Sequence, residues 1–242
     1  MLRLLLSAAL FVTTALPALA ETVHVAVAAN FTAVAEELAE MFAAETGHEA
    51  VLSFGATGQL YAQITQAAPF GVFLAADTER PERAVAEGFA VEGSFFVYAE
   101  GRLALYGPGR DLADGEAALR GEFSRLAIAD PAAAPYGQAA VETLTALDLY
   151  AALEPRLVQG ENISQTLQFV ESGNAELGFV AASQVPAQAG RWLVPAGLHA
   201  PIAQGAVLLS EGAANPAALA FIDFIRSEAA VAVIEAAGYS VP

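Results

Sequence analysis

The stretch from Val23 to Gly47 reads VHVAVAANFTAVAEELAEMFAAETG and contains the pattern on which the fold depends. Its first part, Val23–Ala28, is a short apolar run typical of a buried parallel strand. Phe31–Thr46 follows with apolar residues at the spacing of an amphipathic helix, and a glycine at position 47 commonly ends one. The stretch therefore predicts a strand that stops and a helix that begins almost at once.

The same strand–loop–helix pattern occurs three more times along the chain. Each polar or glycine-containing loop precedes a helix, and the first backbone N–H groups of a helix have no intrahelical acceptor. These groups and the helix dipole together favour an anion at that end. We therefore interpret the loops as parts of a site for a small oxyanion. The four loops are Ala28–Thr32, Gly55–Gly58, Ala134–Gly137 and Gly160–Ser164.

The order of the remaining patterns predicts an α/β fold with two lobes. Two separate strand–helix alternations favour two mostly parallel sheets flanked by helices, with a ligand cleft between them. We predict lobe I at residues 21–101 and 203–242, and lobe II at residues 102–202. Within lobe II we predict a loop at Gly107–Glu116, a strand at Arg156–Val158 and a short helix near Ala182–Ala187.

The first twenty residues have the features of a cleaved secretory signal peptide. Met1–Arg3 provides a positive charge, Leu4–Leu16 is apolar, and Ala18–Ala20 is a small-x-small cleavage sequence. The apolar stretch is short for a membrane anchor, which needs ~20 residues. We therefore expect a mature chain that begins near Glu21 and resides in the periplasm.

The charge balance argues against several classes of partner. The chain of 242 residues has 10 basic residues, all arginine, against 27 acidic ones, and its net charge is −17. Such a balance disfavours nucleic acid and anionic membranes. An anion site in this chain must therefore consist of local, neutral donors. No cysteine is present, so an apolar content of 56% must supply the stability that disulfides give to many exported proteins.

Residues at the loop–helix boundaries are the candidates for ligand binding. A fully deprotonated oxyanion has only acceptors, so its site should present donors. Asn30 offers an amide and a backbone N–H, and Thr57 offers a hydroxyl and a backbone N–H. Tyr136 and Ile163 offer N–H groups at helix starts. Each has an alternative explanation as a helix cap, an ordinary loop residue or a core residue. Secondary candidates are Ala29, Gly58 and Asn162.

Two acidic residues lie near the loops and bear on the choice of anion. A carboxylate acceptor in the site would favour protonated phosphate, whereas its absence would favour an anion without a proton. We expect Asp77 to cap the segment before Pro81, and Glu161 to lie in a first helical turn. Arg80 and Arg156 lie outside the loops, which disfavours an amino-acid ligand held by an arginine–carboxylate pair.

The histidines do not indicate catalysis. His24, His48 and His199 all lie outside the four loops, and the sequence has neither a Gly-x-Ser-x-Gly motif nor a metal-ligand spacing. We therefore predict a binding protein, not an enzyme, with no cofactor and no directly bound metal ion. We also expect it to be a monomer.

Seven segments together form a more specific set than any loop alone. They are Val27–Thr32, Thr46–His48, Ser53–Ile64, Ala68–Asp77, Ala134–Gly137, Gly160–Gln165 and Leu177–Ala181. In these segments the chain resembles the periplasmic molybdate-binding proteins of ABC transporters, within the two-lobed type II substrate-binding proteins. The resemblance covers essentially the whole mature chain. It implies capture of molybdate or tungstate and delivery to an inner-membrane permease.

The resemblance also implies roles for the candidate residues. Asn30 would supply its N–H and its amide, and Thr57 would take the place of the family's serine. Tyr136 and Ile163 would supply N–H groups from lobe II.

The chain departs from the family pattern at a few positions, which leaves the number of donors open. Many members have serine where Asn30 stands, and a hydroxyl residue often stands where this chain has Ala29. A donor tyrosine found near Ala181 in some members is absent, and Tyr136 could replace it. Gly71 stands where aspartate is common. Sulfate or another small oxyanion, and less favourably an amino acid, remain alternative ligands because sequence does not give the size of the cavity.

Overall fold

The computed structural model describes residues 20–186 and 189–242. The predicted signal peptide therefore lies outside the described residues, apart from Ala20. Within these ranges no helix combines the length and the apolar character that crossing a membrane requires. The strands form two five-stranded sheets.

The first sheet has the strand order β2-β1-β3-β10-β4, numbered along the chain. Strand β1 pairs in parallel with β2 and β3, whereas β10 runs antiparallel to β3 and β4. Helices α1, α2, α3, α8 and α9 belong to this half. The strands are β1 Thr22–Ala28, β2 Glu49–Gly55, β3 Val72–Leu74, β4 Phe96–Gly101 and β10 Ile202–Leu208; the helices are α1 Thr32–Thr46, α2 Thr57–Thr65, α3 Glu79–Ala86, α8 Pro216–Phe224 and α9 Glu228–Ala236.

The second sheet repeats this arrangement with the order β7-β6-β8-β5-β9. Strand β6 pairs in parallel with β7 and β8, and β5 runs antiparallel to β8 and β9. The strands are β5 Leu103–Tyr106, β6 Leu126–Ala129, β7 Leu157–Gly160, β8 Leu177–Ala181 and β9 Trp192–Leu193; the helices are α4 Gly115–Arg120, α5 Pro135–Ala146, α6 Tyr150–Leu153 and α7 Ile163–Glu171.

The predicted two-lobed α/β fold is therefore confirmed. Lobe I is here the half built on the first sheet, and lobe II the half built on the second. One cluster of buried apolar residues includes Leu126 and Phe179 of lobe II and continues into Ala28, Ala56 and Ala76 of lobe I. The lobes are therefore packed together over the ends of β1, β2 and β3, which is a closed arrangement.

Three local predictions in lobe II differ from the structure. The segment predicted as a loop at Gly107–Glu116 contains the start of α4, which Asp114 caps by accepting from the Ala117 N–H. Its buried Leu119 packs into the lobe II core, so tertiary contact stabilises a helix of only six residues.

The other two differences concern element bounds. The strand predicted at Arg156–Val158 lies at Leu157–Gly160, where it pairs with β6 in register. Where a helix was predicted near Ala182–Ala187, the structure has a 3₁₀ turn at Ala182–Gln184. The last residue of the predicted helix, Ala187, lies outside the described residues.

Candidate functional site

The four loops surround one small cavity between the lobes, in which the centre of a water-sized sphere can occupy about 10 Å³. This volume is close to the ~10–15 Å³ that one water molecule needs and far below the ~300–1,000 Å³ of pockets for drug-sized ligands. The cavity therefore suits only a ligand of a few atoms. All of its lining residues are uncharged. They are Ala28, Ala29, Asn30, Gly55, Ala56, Thr57, Ala76, Ala134, Pro135, Tyr136, Asn162 and Ile163.

The four leading candidates are brought together around this cavity. Asn30 lies in the 3₁₀ turn before α1, Thr57 and Ile163 are the first residues of α2 and α7, and Tyr136 follows the initial proline of α5. All four are at most 4% exposed. A backbone N–H at such a position has no intrahelical acceptor. Within the described residues, none of these four backbone N–H groups donates to another backbone or side-chain acceptor. Four buried donors thus remain available to a ligand.

The Thr57 hydroxyl adds a side-chain donor. Its oxygen accepts a hydrogen bond from the Ala76 N–H at 3.0 Å. A hydroxyl has one hydrogen to donate and two lone pairs. Because one lone pair is taken by Ala76, the O–H is oriented away from that contact and can donate to a ligand.

The amide of Asn30 is used differently from the prediction. Its Nδ2 donates to Gln204 Oε1 at 2.9 Å and to the Tyr239 hydroxyl at 3.1 Å. Both amide hydrogens are therefore taken by the protein itself. Asn30 retains its backbone N–H as the donor that a ligand can reach, and its side chain fixes the position of that donor.

The Tyr136 hydroxyl is likewise engaged inside the protein. It accepts from Gln204 Nε2 at 3.3 Å, and burial raises the pKa of the phenol well above its ordinary value. The hydroxyl thus stays neutral and bound to Gln204. The hydroxyl lies beside Gly101 and Gln204, neither of which lines the cavity. This position argues against the expectation that the hydroxyl replaces the donor tyrosine found near Ala181 in some members of the family, and it leaves the Tyr136 backbone N–H as the group at the cavity.

A buried polar network that the sequence did not reveal supports these residues. Gln204 Oε1 accepts from both Asn30 and the Tyr98 hydroxyl, the latter at 2.9 Å. The Tyr239 hydroxyl donates to the Asn30 carbonyl at 2.8 Å, and burial raises the pKa of Tyr239 to about 12. The β4–β10 register shifts beside Gln204, which lies opposite Ala99. In the sequence, the one sign of this network is Gln204, a polar residue within the otherwise apolar strand β10; in the structure it is fully buried.

Two secondary candidates act on neighbouring protein groups. Asn162 caps α7, since its Oδ1 accepts from the Ser164 and Gln165 N–H groups at 3.0 Å each. This leaves only the Ile163 N–H uncapped at that helix start. Gly58 does not line the cavity, and its N–H donates to the Ala133 carbonyl at 2.8 Å.

Neither of the two nearby carboxylates lines the cavity. Asp77 accepts from the Arg80 N–H at 3.0 Å, as expected of a cap, and also pairs with the Arg80 guanidinium. Burial raises the pKa of the Asp77 carboxyl, and its bonds to Arg80 oppose that rise. Glu161 is exposed and precedes Asn162, the cap of α7, so it lies outside the first helical turn in which it was expected. The cavity therefore offers donors without a carboxylate acceptor.

Two α/β lobes closed over a small uncharged cavity define the class of two-lobed solute-binding proteins. Residues 23–240 match the family model for bacterial extracellular solute-binding proteins. The chain belongs to that family.

The most similar relatives include two proteins named molybdate-binding protein ModA. That of Rhodobacter capsulatus is 50% identical over 229 residues, covering 93% of this chain and 90% of the relative. That of Azotobacter vinelandii is 47% identical over 227 residues, covering 91% and 90%. A solved structure of the Azotobacter vinelandii periplasmic molybdate-binding protein superimposes with a TM-score of 0.85 at 39% identity, covering 91% of this chain and 99% of that one.

Proposed function

We propose that this protein is the solute-binding component of a molybdate ABC transporter. It captures molybdate or tungstate between its lobes and delivers the oxyanion to a permease in the inner membrane. Relatives that are 50% and 47% identical over about nine tenths of the chain support this function. The protein is thus a binding protein, not an enzyme, and the oxyanion is its ligand, not a cofactor.

The observation that supports this function most directly is the set of donors around an uncharged cavity. A tetrahedral dianion offers acceptors in four directions, and each hydrogen bond to a charged acceptor contributes ~1.5–3 kcal/mol. We propose that the backbone N–H groups of Asn30, Thr57, Tyr136 and Ile163, together with the Thr57 hydroxyl, bind the oxyanion. Ala29 and Asn162 contribute to the wall of the cavity, and Asn162 acts as the cap of α7.

We propose that the chain is cleaved after Ala20, acts in the periplasm as a monomer and binds no nucleic acid; the net charge of −17 supports the last point. We further propose the lobe bounds 21–101 with 203–242, and 102–202. The strands on either side of Arg102 belong to different sheets, which supports the first of these boundaries.

Titration calorimetry of the ligand-free protein with molybdate, tungstate, sulfate and phosphate tests the function. We expect tight binding of molybdate and tungstate. Phosphate carries a proton at neutral pH, and its O–H would face donors of the site without an acceptor. A polar group left without a partner costs ~1–3 kcal/mol, so phosphate should bind ~10–100-fold more weakly than molybdate. Sulfate has the same charge and shape as molybdate and differs in size. Tight binding of sulfate with no binding of molybdate would overturn the proposal.

A further inference from the structure

A contact between the lobes lies beside the cavity but outside its wall. Two backbone carbonyls of lobe II, those of Ala132 and Ala133, accept hydrogen bonds from lobe I. The Gly58 N–H donates to the Ala133 carbonyl at 2.8 Å, and Arg80 Nη2 donates to the Ala132 carbonyl at 3.0 Å. We name these four residues the closure seam. Because its partners belong to different lobes, the seam exists only when the lobes are together.

Arg80 is held in position by lobe I alone. Its Nη1 lies 2.5 Å from Asp77 Oδ2, and its backbone N–H donates to Asp77 Oδ1 at 3.0 Å. The Asp77 backbone carbonyl in turn accepts from the Gly205 N–H at 3.0 Å. A planar guanidinium that is already oriented loses less conformational freedom when it makes a further hydrogen bond. The remaining Nη2 is thereby presented to lobe II.

Gly58 permits the close approach of the two lobes at the seam. A Cβ atom at this position would lie 3.1 Å from the Ala133 Cα and 3.2 Å from the Ala133 carbonyl oxygen. It would also lie 3.1 Å from Arg80 Nη2. A side chain at residue 58 would therefore press on the opposite lobe and on the guanidinium.

We propose that Arg80, oriented by Asp77, is a latch that stabilises the closed form and sets the time for which the oxyanion stays bound. This inference rests on the proposed function. Arg80 is not part of the cavity wall, so it acts on opening and not on recognition of the ligand. Ser164 of lobe II also bonds across the lobes, to the Ala29 carbonyl at 3.0 Å. Loss of the latch should therefore weaken closure without abolishing it.

Two substitutions at Arg80 separate a latch from a general effect of positive charge. Arg80→Ala removes the guanidinium, whereas Arg80→Lys keeps the charge but loses the planar fork that reaches Asp77 and Ala132 together. The matched control is Arg83→Ala on the same helix. Arg83 pairs with Glu87 at 2.7 Å within lobe I, and its side chain is 58% exposed.

The test measures the dissociation rate of labelled molybdate, chased with excess tungstate, for the full mature chain. We expect dissociation about tenfold faster for Arg80→Ala and Arg80→Lys, the effect of one charge-assisted hydrogen bond, with association nearly unchanged. Arg83→Ala should stay within about twofold of the wild type, since exposed pairs contribute little. Wild-type dissociation in Arg80→Lys would show that charge alone suffices and would overturn the latch.

Gly58→Ala provides a second, independent test should the arginine variants fold poorly. It should also release molybdate faster, and small-angle X-ray scattering at saturating molybdate should show a larger radius of gyration than the wild type. An unchanged rate and radius would overturn the latch while leaving the proposed function intact. Failure of the wild type to bind molybdate would instead overturn the proposed function, and this inference with it.

Discussion

The helices begin in two different ways, and the difference follows their distance from the cavity. Away from the cavity, α4, α8 and α9 each begin with a side-chain cap, from Asp114, Asn215 and Ser227 respectively. At the cavity, α2 and α5 begin after Ala56 and Ala134, which have no side-chain acceptor. Helices α1 and α3, which begin close to the cavity, also have no side-chain bond from their N-cap residues Phe31 and Thr78. The remote four-residue α6 likewise begins without such a bond.

The helices that begin at the cavity lack the stabilisation that an N-terminal side-chain cap would give them. A good N-terminal cap contributes ~1 kcal/mol, and alanine contributes almost none of it. An alanine at the cap position leaves the helix's first donors for a ligand. The start of α7 is intermediate, because Asn162 caps two N–H groups and leaves that of Ile163. With the exception of α6, the distribution of caps along the chain therefore follows the position of the proposed binding site.

The largest loss of ligand binding is expected when a negative charge is placed among the uncapped helix starts. Thr57→Asp should weaken molybdate binding more than ~1000-fold, because like charges about 4 Å apart repel by ~4 kcal/mol at an effective dielectric constant of 20. Calorimetric titration measures the loss. Thr57→Ser keeps the hydroxyl and serves as the control, with affinity close to that of the wild type. Tight binding by Thr57→Asp would remove Thr57 from the proposed site.

A smaller effect should follow from giving a cavity helix the cap that remote helices have. In Ala134→Asn the new amide oxygen can accept the Tyr136 N–H and occupies part of the cavity. We expect ~10–100-fold weaker molybdate binding, the loss of about one charge-assisted bond. Thermal unfolding of the ligand-free variant should show no loss of stability, since the cap stabilises α5. Unchanged affinity would show that the α5 start does not bind the ligand.

The third test separates the backbone of Tyr136 from its side chain. Tyr136→Phe should weaken molybdate binding less than about tenfold, because the hydroxyl bonds Gln204 and the backbone N–H is retained. Stability should fall by ~1–3 kcal/mol, since Gln204 Nε2 loses a buried acceptor. Calorimetry and urea unfolding report the two quantities. A binding loss above ~3 kcal/mol would instead assign the ligand contact to the hydroxyl.

The smallest effect on binding is expected at a remote cap. Asn215 Oδ1 accepts from the Ala217 and Ala218 N–H groups, at 2.8 and 3.3 Å. Asn215→Ala should lower the free energy of unfolding by ~1 kcal/mol and leave molybdate affinity unchanged. Denaturant unfolding and calorimetry check both. Weaker binding in this variant would mean that caps far from the cavity also govern the site.

Local physics explains what could be predicted from the sequence. The passage from Val23–Ala28 into a helix ending at Gly47 depends on neighbouring residues alone, and the structure confirms it. The orphan N–H groups of Thr57 and Ile163 follow from helix starts in the same way. The gathering of the four loops followed from the rule that ligands bind at the carboxyl ends of parallel strands.

What could not be predicted depends on residues far apart in the chain. The direction of the Asn30 amide is set by Gln204 and Tyr239, which lie 174 and 209 residues away. The use of the Gly58 N–H depends on how closely Ala133 of the other lobe approaches. Arg80 was set aside because it is outside the loops, and only the packed lobes place it at their contact. No local sequence pattern encodes these contacts between distant parts of the chain.

The absence of fixed charge from the cavity wall has a consequence for unloading. Hydrogen bonds from rigid helix starts break as soon as the two lobes separate by a few ångströms. A buried arginine would instead continue to attract the dianion over a longer range. The departing ion regains its hydration and leaves behind no cation that needs a counterion. Opening of the lobes alone can thus release the oxyanion, and no competing anion is required to displace it.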